Sequence, residues 1–271
     1  MRDLTLSEIW IYPIKSLGGL RLSSARVMEK GLEFDRRWML VDDNGVFMTQ
    51  RVHNTMALLK QSIDGKTLTI TRIDPKQNDR PSISFDTTVA PKGKRFQGTI
   101  WNDLVTVAEV DPLVSEWFTT HLNMSCRLVS FQETDTRPVD EKFQVNHENV
   151  SLADAYPFLI IGQSTLDDLN SRLDKKVPMN RFRPNFVYTG GEPFEEDTWR
   201  SFTIGSNRFV GVKLCARCVL TTVNQDTGEK GIEPLYTLST YRKKETIMLF
   251  GQNLVAVDHK VVNVGDKISI G

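Results

Sequence analysis

Cysteine is scarce in this chain, which has three among its 271 residues. Three cysteines are too few for the disulfide framework of a small secreted domain, so we expect a reducing compartment. An excess of charge of either sign is missing too, because 34 Lys and Arg residues balance 34 Asp and Glu residues. Nothing in the net charge therefore favours a nucleic-acid partner or an anionic membrane surface.

Long apolar runs are absent as well. No stretch approaches the length that spans a membrane, and the segment after Met1 lacks the basic region and continuous apolar run of a signal peptide. We therefore expect a cytoplasmic protein without a membrane anchor.

The common motifs for nucleotides and metals are also missing. Gly18-Gly19 and Gly190-Gly191 match neither the P-loop nor the dinucleotide fingerprint, and there is no HExxH helix, EF-hand loop or nucleophile-elbow serine. The four histidines are scattered singly, so they supply no zinc-ligand spacing around the cysteines. Nucleotide binding and a structural zinc site are therefore not supported.

What the sequence does contain is a series of short strand-like runs separated by turns. These runs predict a β-rich α+β fold with strands over residues 4–14, 38–42, 58–63, 67–73, 82–85, 99–110, 185–188, 201–204, 208–214, 219–223 and 261–270. The early strands favour an antiparallel sheet or barrel. We divide the chain into two parts, residues 1–120 and residues 121–271.

Two helices interrupt the strands. Asp111 and Pro112 form a helix start, and the apolar residues that follow are predicted to share one face: Leu113, Trp117, Phe118 and Leu122. A second helix begins at Ser164, carries Leu166, Leu169 and Leu173 on one stripe, and ends before Pro178. Residues 132–145 are polar and predict a long surface loop.

Two of the three cysteines form a pair, Cys215-Ala216-Arg217-Cys218, directly before a β-branched run. A thiolate can act as nucleophile, redox partner or soft-metal ligand, and the guanidinium of Arg217 favours the ionised form of Cys218. A thioredoxin-like dithiol is disfavoured because residues 219–223 are predicted as strand rather than helix. Two alternatives remain at this point: Cys218 is a hydrolase nucleophile with a partner histidine that the sequence does not place, or both cysteines are simply packed in a strand.

Several basic residues lie beside turns or beside one another, which predicts a local anion site: Lys15, Arg36, Arg37, Arg51, Arg181, Arg183 and Arg217. Arg183 is the sharpest case, because Pro184 fixes the backbone after it and a fixed guanidinium can grip a phosphate or carboxylate with two hydrogen bonds.

Six motifs, in order along the chain, resemble those of the MOSC-domain proteins: Tyr12-Pro13-Ile14-Lys15-Ser16, Asp35-Arg36-Arg37-Trp38, Asp154-Ala155-Tyr156-Pro157-Phe158-Leu159, Phe182-Arg183-Pro184-Asn185, Cys215-Ala216-Arg217-Cys218 and Phe250-Gly251-Gln252-Asn253. The likeness covers essentially the whole chain and points to the branch with the mitochondrial amidoxime-reducing component and its bacterial relatives. The mitochondrial members differ at Ala155 and Tyr156, where they carry a small hydroxyl pair, and at Asn253, where they carry a tyrosine.

The resemblance implies an N-terminal β-barrel-like region packed with a MOSC domain, itself built on a β-barrel with a few helices. It also implies one molybdenum–molybdopterin cofactor whose metal takes Cys218 as thiolate ligand. Carried over residue by residue, the positions that hold the cofactor's phosphate and pterin are Lys15, Ser16, Arg36, Arg183 and Arg217, with Asp154 and Asn185 as pterin partners and Asn253 as a further contact. Cys215 is expected to pack rather than bind metal.

The activity that the resemblance implies is reduction of N-hydroxylated compounds, such as amidoximes and hydroxylamines, by oxygen removal at the metal. No cysteine cluster for an iron–sulfur domain is present, so electrons are expected from a separate ferredoxin, flavoprotein or cytochrome b5 type of protein. Two alternatives to the reductase stay open. One is a sulfur- or cofactor-carrying MOSC protein with a persulfide on Cys218, and the other is a non-catalytic pterin-binding module.

Overall fold

The structure of the chain is a computed structural model that describes residues 3–75 and 78–271. Met1 and Arg2, on which the expectation about the N-terminal segment partly rests, lie outside the described residues. Within the described ranges we number nineteen strands, β1 to β19 in chain order: Thr5–Ile11, Leu20–Leu22, Ser24–Met28, Gly31–Leu32, Trp38–Val41, Leu59–Asp64, Thr67–Arg72, Ser82–Asp86, Arg95–Ile100, Asp103–Glu109, Arg127–Ser130, Phe158–Gly162, Phe186–Thr189, Ser201–Ile204, Asn207–Arg217, Lys243–Lys244, Ile247–Ala256, Val261–Asn263 and Ile268–Ile270.

The described helices are α1 (Pro112–Leu122), α2 (Gln163–Ser171) and α3 (Leu235–Tyr241). Short 3₁₀ turns accompany them at Asn54–Leu58, Glu141–Phe143, Met179–Arg181, Glu195–Thr198 and Val219–Thr222. No helix in the described part of the chain has both the length and the apolar character needed to cross a bilayer.

The large sheet joins distant parts of the sequence. Its strand order is β19-β14-β15-β17-β12-β13-β1-β2, with β16 paired to β17, and all neighbours are antiparallel except β12 and β13. Strands β1 and β2 therefore complete a sheet whose other members come from residues 158–270. Smaller sheets are formed by β5-β11-β10-β9, by β6-β7-β8 and by β18-β3-β4. The proposed division at residue 120 stays a prediction.

The α1 cap was predicted from its residues and is confirmed. The Asp111 side chain accepts the backbone N–H of Leu113 at 3.0 Å, and Pro112 occupies the first turn. The predicted buried face is wrong at Leu113, which is 68% exposed. The buried face of α1 instead begins at Val114, one residue after Leu113, and continues at every fourth residue with Phe118 and Leu122.

The remaining predictions need three corrections in the strands. Residues 99–110 are two strands, because the chain reverses at Trp101 between β9 and β10. Residues 261–270 are likewise split into β18 and β19. Residues 219–223 are not a strand: the Thr221 N–H and hydroxyl both donate to the Cys218 carbonyl, at 3.1 and 2.9 Å, and close a 3₁₀ turn.

The helix α2 and the polar loop are only partly as predicted. The helix ends at Ser171, so Leu173 lies beyond it, although Leu166 and Leu169 are buried as expected. The loop over residues 132–145 is not wholly at the surface. Its Arg137 and Val139 are 5% and 2% exposed, because the guanidinium anchors a neighbouring segment.

Candidate active site

A cavity of about 280 Å³ brings the predicted site residues together. Its wall includes all nine residues carried over from the family motifs: Lys15, Ser16, Arg36, Asp154, Arg183, Asn185, Arg217, Cys218 and Asn253. Arg51 of the predicted basic set also lines the cavity, whereas Arg37 and Arg181 of that set do not. They come from the segment after β1, the turn before β5, the segments before β12 and β13, and strands β15 and β17. Among the described residues in this wall, six are cations and one is a carboxylate. The cavity is therefore suited to an anion.

Cys218 lies in the wall directly after strand β15. The guanidinium that contacts it belongs to Arg51, whose Nε donates to the Cys218 Sγ at 3.2 Å. Arg217 instead donates through Nη1 to the Sγ of Cys215 at 2.9 Å. Alternate residues of a strand share a face, which places Cys215 and Arg217 together. The expected pairing of Arg217 with Cys218 is thus replaced by Arg51.

Asp154 links two of the cavity's cations. Its carboxylate oxygens accept from Lys15 Nζ at 2.6 Å and from Arg51 Nη2 at 2.5 Å. Burial alone would raise the pKa of Asp154, but the two cations outweigh it and hold that pKa well below its usual range. Burial lowers the pKa of Lys15 to about 8 despite the attraction of Asp154. Lys15 is therefore the cation of this site whose charge changes closest to neutral pH.

Arg137 anchors the segment that carries Asp154. Its Nη1 donates to the carbonyls of Ser151 and Ala153, at 2.9 and 2.5 Å, and its Nη2 donates to the Asp154 carbonyl at 3.0 Å. The other edge of the guanidinium pairs with the Asp103 carboxylate. One buried side chain thus fixes the backbone on which the Asp154 carboxylate is held.

Tyr12 supports the two remaining arginines at the deep side of the site. The guanidinium carbons of Arg36 and Arg183 lie 4.3 and 4.1 Å from the centre of its fully buried ring. The Tyr12 hydroxyl donates to the Pro184 carbonyl at 3.1 Å. Gly19 packs against the ring so closely that an added Cβ would lie 2.5 Å from Tyr12 Cε1.

Arg183 has unused capacity to bind an anion. Its Nη1 donates to the Leu17 carbonyl at 2.7 Å, whereas its buried Nη2 has no hydrogen-bond partner in the described part of the chain. Burial lowers the pKa of Arg183 to about 10. A buried N–H group without a partner is unfavourable, and an anion in the cavity would satisfy it.

Three of the lining residues have left-handed backbones, with φ of 66° at Ser16, 50° at Arg36 and 55° at Arg183. Such values are uncommon outside glycine, asparagine and aspartate, and they concentrate at functional sites. The surrounding fold holds these residues in place before any ligand binds.

The two predicted asparagines differ in what they offer. The amide of Asn185 is already used by the protein: its Nδ2 donates to the Trp10 carbonyl and to Asp35, and its Oδ1 accepts from the Leu159 N–H. Asn253 lies on β17 between Lys213 and Leu159 and is half-buried. The roles assigned to both stay predictions.

The family motifs did not supply two of the lining cations, Arg51 and Lys213. Arg51 was in the basic set but carried no family motif, and its contact with Cys218 spans 167 residues of sequence. Lys213 lies over the Phe143 ring at 4.5 Å, and Phe143 in turn contacts Tyr156 edge-on. No local signal would have revealed these long-range contacts.

Outside the cavity pair, Cys126 is buried, and its burial raises the thiol pKa to about 11. The described residues contain no group of three or more His, Cys, Asp and Glu side chains that could hold a metal ion. Any metal at Cys218 would therefore need ligands from a cofactor. The cationic wall, the partnerless Arg183 Nη2 and the Cys218 thiol fit an anionic, sulfur-ligated cofactor.

Comparison with known proteins gives the family. Residues 3–125 match the MOSC N-terminal beta barrel domain and residues 147–269 match the MOSC domain. Mitochondrial amidoxime-reducing component 1 of Homo sapiens is 34% identical over 283 residues, which cover 97% of this chain and 82% of that protein. Mitochondrial amidoxime reducing component 2 of Rattus norvegicus is 34% identical over 250 residues, which cover 88% and 72%.

A relative of another kind is the molybdenum cofactor sulfurase of Oryza sativa subsp. japonica. It is 29% identical over 266 residues, which cover 92% of this chain but 32% of that longer protein. The prediction of a β-rich fold with a MOSC N-terminal region and a MOSC domain is confirmed. The chain therefore belongs to the MOSC-domain family, in which its relatives include amidoxime-reducing components and molybdenum cofactor sulfurases.

Proposed function

We propose that this chain is a molybdenum-cofactor oxidoreductase that reduces N-hydroxylated compounds. The observation that carries the proposal is the Cys218 thiol in the wall of a cavity with six cations, where all nine motif-derived residues meet. Relatives named for amidoxime reduction at 34% identity support the same activity.

The cations of this chain would hold the cofactor's phosphate and pterin. Arg183 offers the partnerless Nη2, and Tyr12 keeps Arg36 and Arg183 on one aromatic support. Fixed guanidinium groups bind phosphate oxygens with defined geometry, and burial strengthens the attraction. Lys15 adds a charge that Asp154 keeps in position.

Cys218 would serve as the metal's thiolate ligand. The Arg51 N–H donated to its Sγ stabilises negative charge on sulfur, and a thiolate suits a soft-metal centre. None of the chain's residues is needed as a nucleophile in this role. The Sγ of the nearby Cys215 already accepts a hydrogen bond from Arg217.

The reaction converts an N–OH group into N–H and water, with two electrons and two protons consumed. When bound, the molybdenum cofactor would supply the two-electron oxygen removal. We propose that the electrons come from a separate ferredoxin, flavoprotein or cytochrome b5 type of protein. We also propose a cytoplasmic location, which the low cysteine content supports because thiols stay reduced there.

A second candidate function is sulfur transfer through a persulfide on Cys218. The similarity to a molybdenum cofactor sulfurase favours it, and the Arg51 contact would also stabilise a persulfide anion. This function predicts cyanide-releasable sulfur on Cys218 without tightly bound metal.

The test is to purify the chain from a host that makes molybdenum cofactor. Molybdenum content, cyanide-releasable sulfur and reduction of benzamidoxime with a chemical or protein electron donor are measured together. We expect about one metal per chain, turnover of benzamidoxime, and loss of both in Cys218→Ala but not in the control Cys126→Ala, whose cysteine lies outside the cavity. Full metal and activity in Cys218→Ala would contradict the assignment. Releasable sulfur without metal would support the second candidate.

A further inference from the structure

An aromatic residue occupies an unusual place at the edge of the candidate site. Ile100 pairs with Asp103, so β9 and β10 are joined by a turn of two residues, Trp101 and Asn102. Trp101 has a φ of 53°. Tight hairpin turns give such positions to asparagine, aspartate or glycine, because a large side chain is strained there. Backbone strain of this kind is enriched at functional sites.

The contacts of Trp101 connect it to the cavity. The Arg51 guanidinium carbon lies 4.6 Å from the centre of its ring, and its Nε1 lies 3.4 Å from the Asp154 Oδ1. Phe47 packs edge-on against the indole with ring centres 5.2 Å apart. Arg51 and Asp154 both line the cavity, and Arg51 also contacts the Cys218 Sγ. A single guanidinium thus separates the indole from the candidate metal ligand.

Trp101 is nevertheless open to solvent. It is 50% exposed, whereas the core residues Trp38 and Trp199 are 6% and 1% exposed. Burial in the core therefore does not explain the strained position. Trp101 does not itself line the cavity, but its contacts with Arg51 and Asp154 place the half-exposed indole at the cavity's edge.

We propose that Trp101 is a specificity-determining residue that binds the planar aromatic part of an N-hydroxylated substrate. The proposal rests on the reductase function put forward above. A substrate whose polar group enters the cavity beside Arg51 leaves its remaining part next to the indole. Aromatic rings gain from offset or edge-on contact with an indole, which aliphatic groups of the same reach do not.

The kinetic test compares an aromatic with an aliphatic substrate, benzamidoxime and acetamidoxime, in the cofactor-loaded protein. In Trp101→Leu we expect the ratio of kcat/KM for benzamidoxime to that for acetamidoxime to fall about threefold to tenfold, mainly through KM. Trp101→Phe keeps an aromatic ring and should restore part of the ratio. Trp117→Leu removes a tryptophan of helix α1 that does not line the cavity, and should leave the ratio unchanged.

Three results would overturn the proposal. An equal loss with both substrates would mean that Trp101 only positions Arg51. A change confined to the KM of the electron-donor protein would mean that the indole binds that protein instead. An unchanged ratio would mean that the exposed indole contacts neither.

A binding measurement separates failure of this proposal from failure of the reductase function. In the cofactor-loaded protein without an electron donor, benzamidoxime should quench tryptophan fluorescence more than acetamidoxime does, and Trp101→Phe should lose the difference. Quenching that depends on Trp101 but no turnover would support aromatic binding by Trp101 and contradict the reductase function. Turnover with an unchanged kcat/KM ratio and no Trp101-dependent quenching would support the reductase function and contradict aromatic binding by Trp101.

Discussion

The Nε of Arg51 donates a hydrogen bond to the Sγ of Cys218 across 3.2 Å, although 167 residues separate the two in sequence. The same guanidinium binds Asp154 through Nη2. Although burial opposes it, the charges of Asp154 and Cys218 raise the pKa of Arg51 above its ordinary value. Arg51 therefore remains a cation that fixes the sulfur and the carboxylate relative to each other.

Replacing Arg51 by lysine should weaken cofactor retention. A lysine keeps the charge but cannot reach both Cys218 and Asp154 with a rigid, planar set of donors. Losing one charged hydrogen bond costs about 1.5–3 kcal/mol, which is roughly tenfold to a hundredfold in affinity. The molybdenum content that remains after dialysis measures cofactor retention. The control is Arg208→Lys at an exposed pair with Asp258, and retention equal to wild type would contradict the prediction.

Replacing Arg183 by lysine should lower cofactor occupancy while the fold survives. The variant loses the partnerless Nη2 and the flat contact with Tyr12 but keeps the charge. Pterin fluorescence after oxidation of the purified protein gives the occupancy, and circular dichroism checks the fold. Arg172→Lys, at an exposed pair with Asp168, serves as the control. Unaltered occupancy would show that Arg183 only packs.

Anion affinity should fall as pH rises through about 8, the pKa of Lys15. The protonated amine attracts an anion, so below this pH the attraction is complete, and above it the charge is lost. Sulfate does not titrate in this range and is a suitable probe for the cofactor-free protein by calorimetry. We expect a decrease of up to about tenfold between pH 7 and pH 9.

The matched variant for the pH experiment is Lys15→Arg, because arginine stays charged over the whole range. Its sulfate affinity should not fall over these two pH units. The same decline in this variant as in the wild type would assign the pH dependence to another group.

Replacing Arg137 by methionine should destabilise the fold by about 2–4 kcal/mol, because two buried carbonyls, of Ser151 and Ala153, and the partly buried carbonyl of Asp154 lose their donor. Urea unfolding of the cofactor-free protein gives the free energy of unfolding. Arg95→Met is the control, since the Arg95 side chain is half-exposed in its pair with Asp135. A loss below about 0.5 kcal/mol in Arg137→Met would contradict the anchoring role.

Local chemistry made some elements predictable. Asp111 and Pro112 mark the start of α1 by themselves, because an N-cap needs only its own next two residues. The β-branched residues after Cys218 misled the prediction, because the hydrogen bonds to the Cys218 carbonyl turn the chain back on itself. Propensity for a strand is weak beside such local bonds.

The members of the candidate site were predictable, but their pairing was not. The ordered motifs predicted Cys218, Arg217 and Asp154 as site residues, and all three line the cavity. Which guanidinium contacts which sulfur depends on the face that β15 presents and on the path of the chain after β5. Both are set by long-range packing, to which a local pattern is insensitive.

The sheet that β1 and β2 complete joins two family-matched segments, and each segment supplies part of the cavity wall. The segment matching the N-terminal family model supplies Lys15, Arg36 and Arg51, and the segment matching the second supplies Arg183 and Cys218. A gene fragment that encodes either segment alone would encode part of a cavity and no complete cation set.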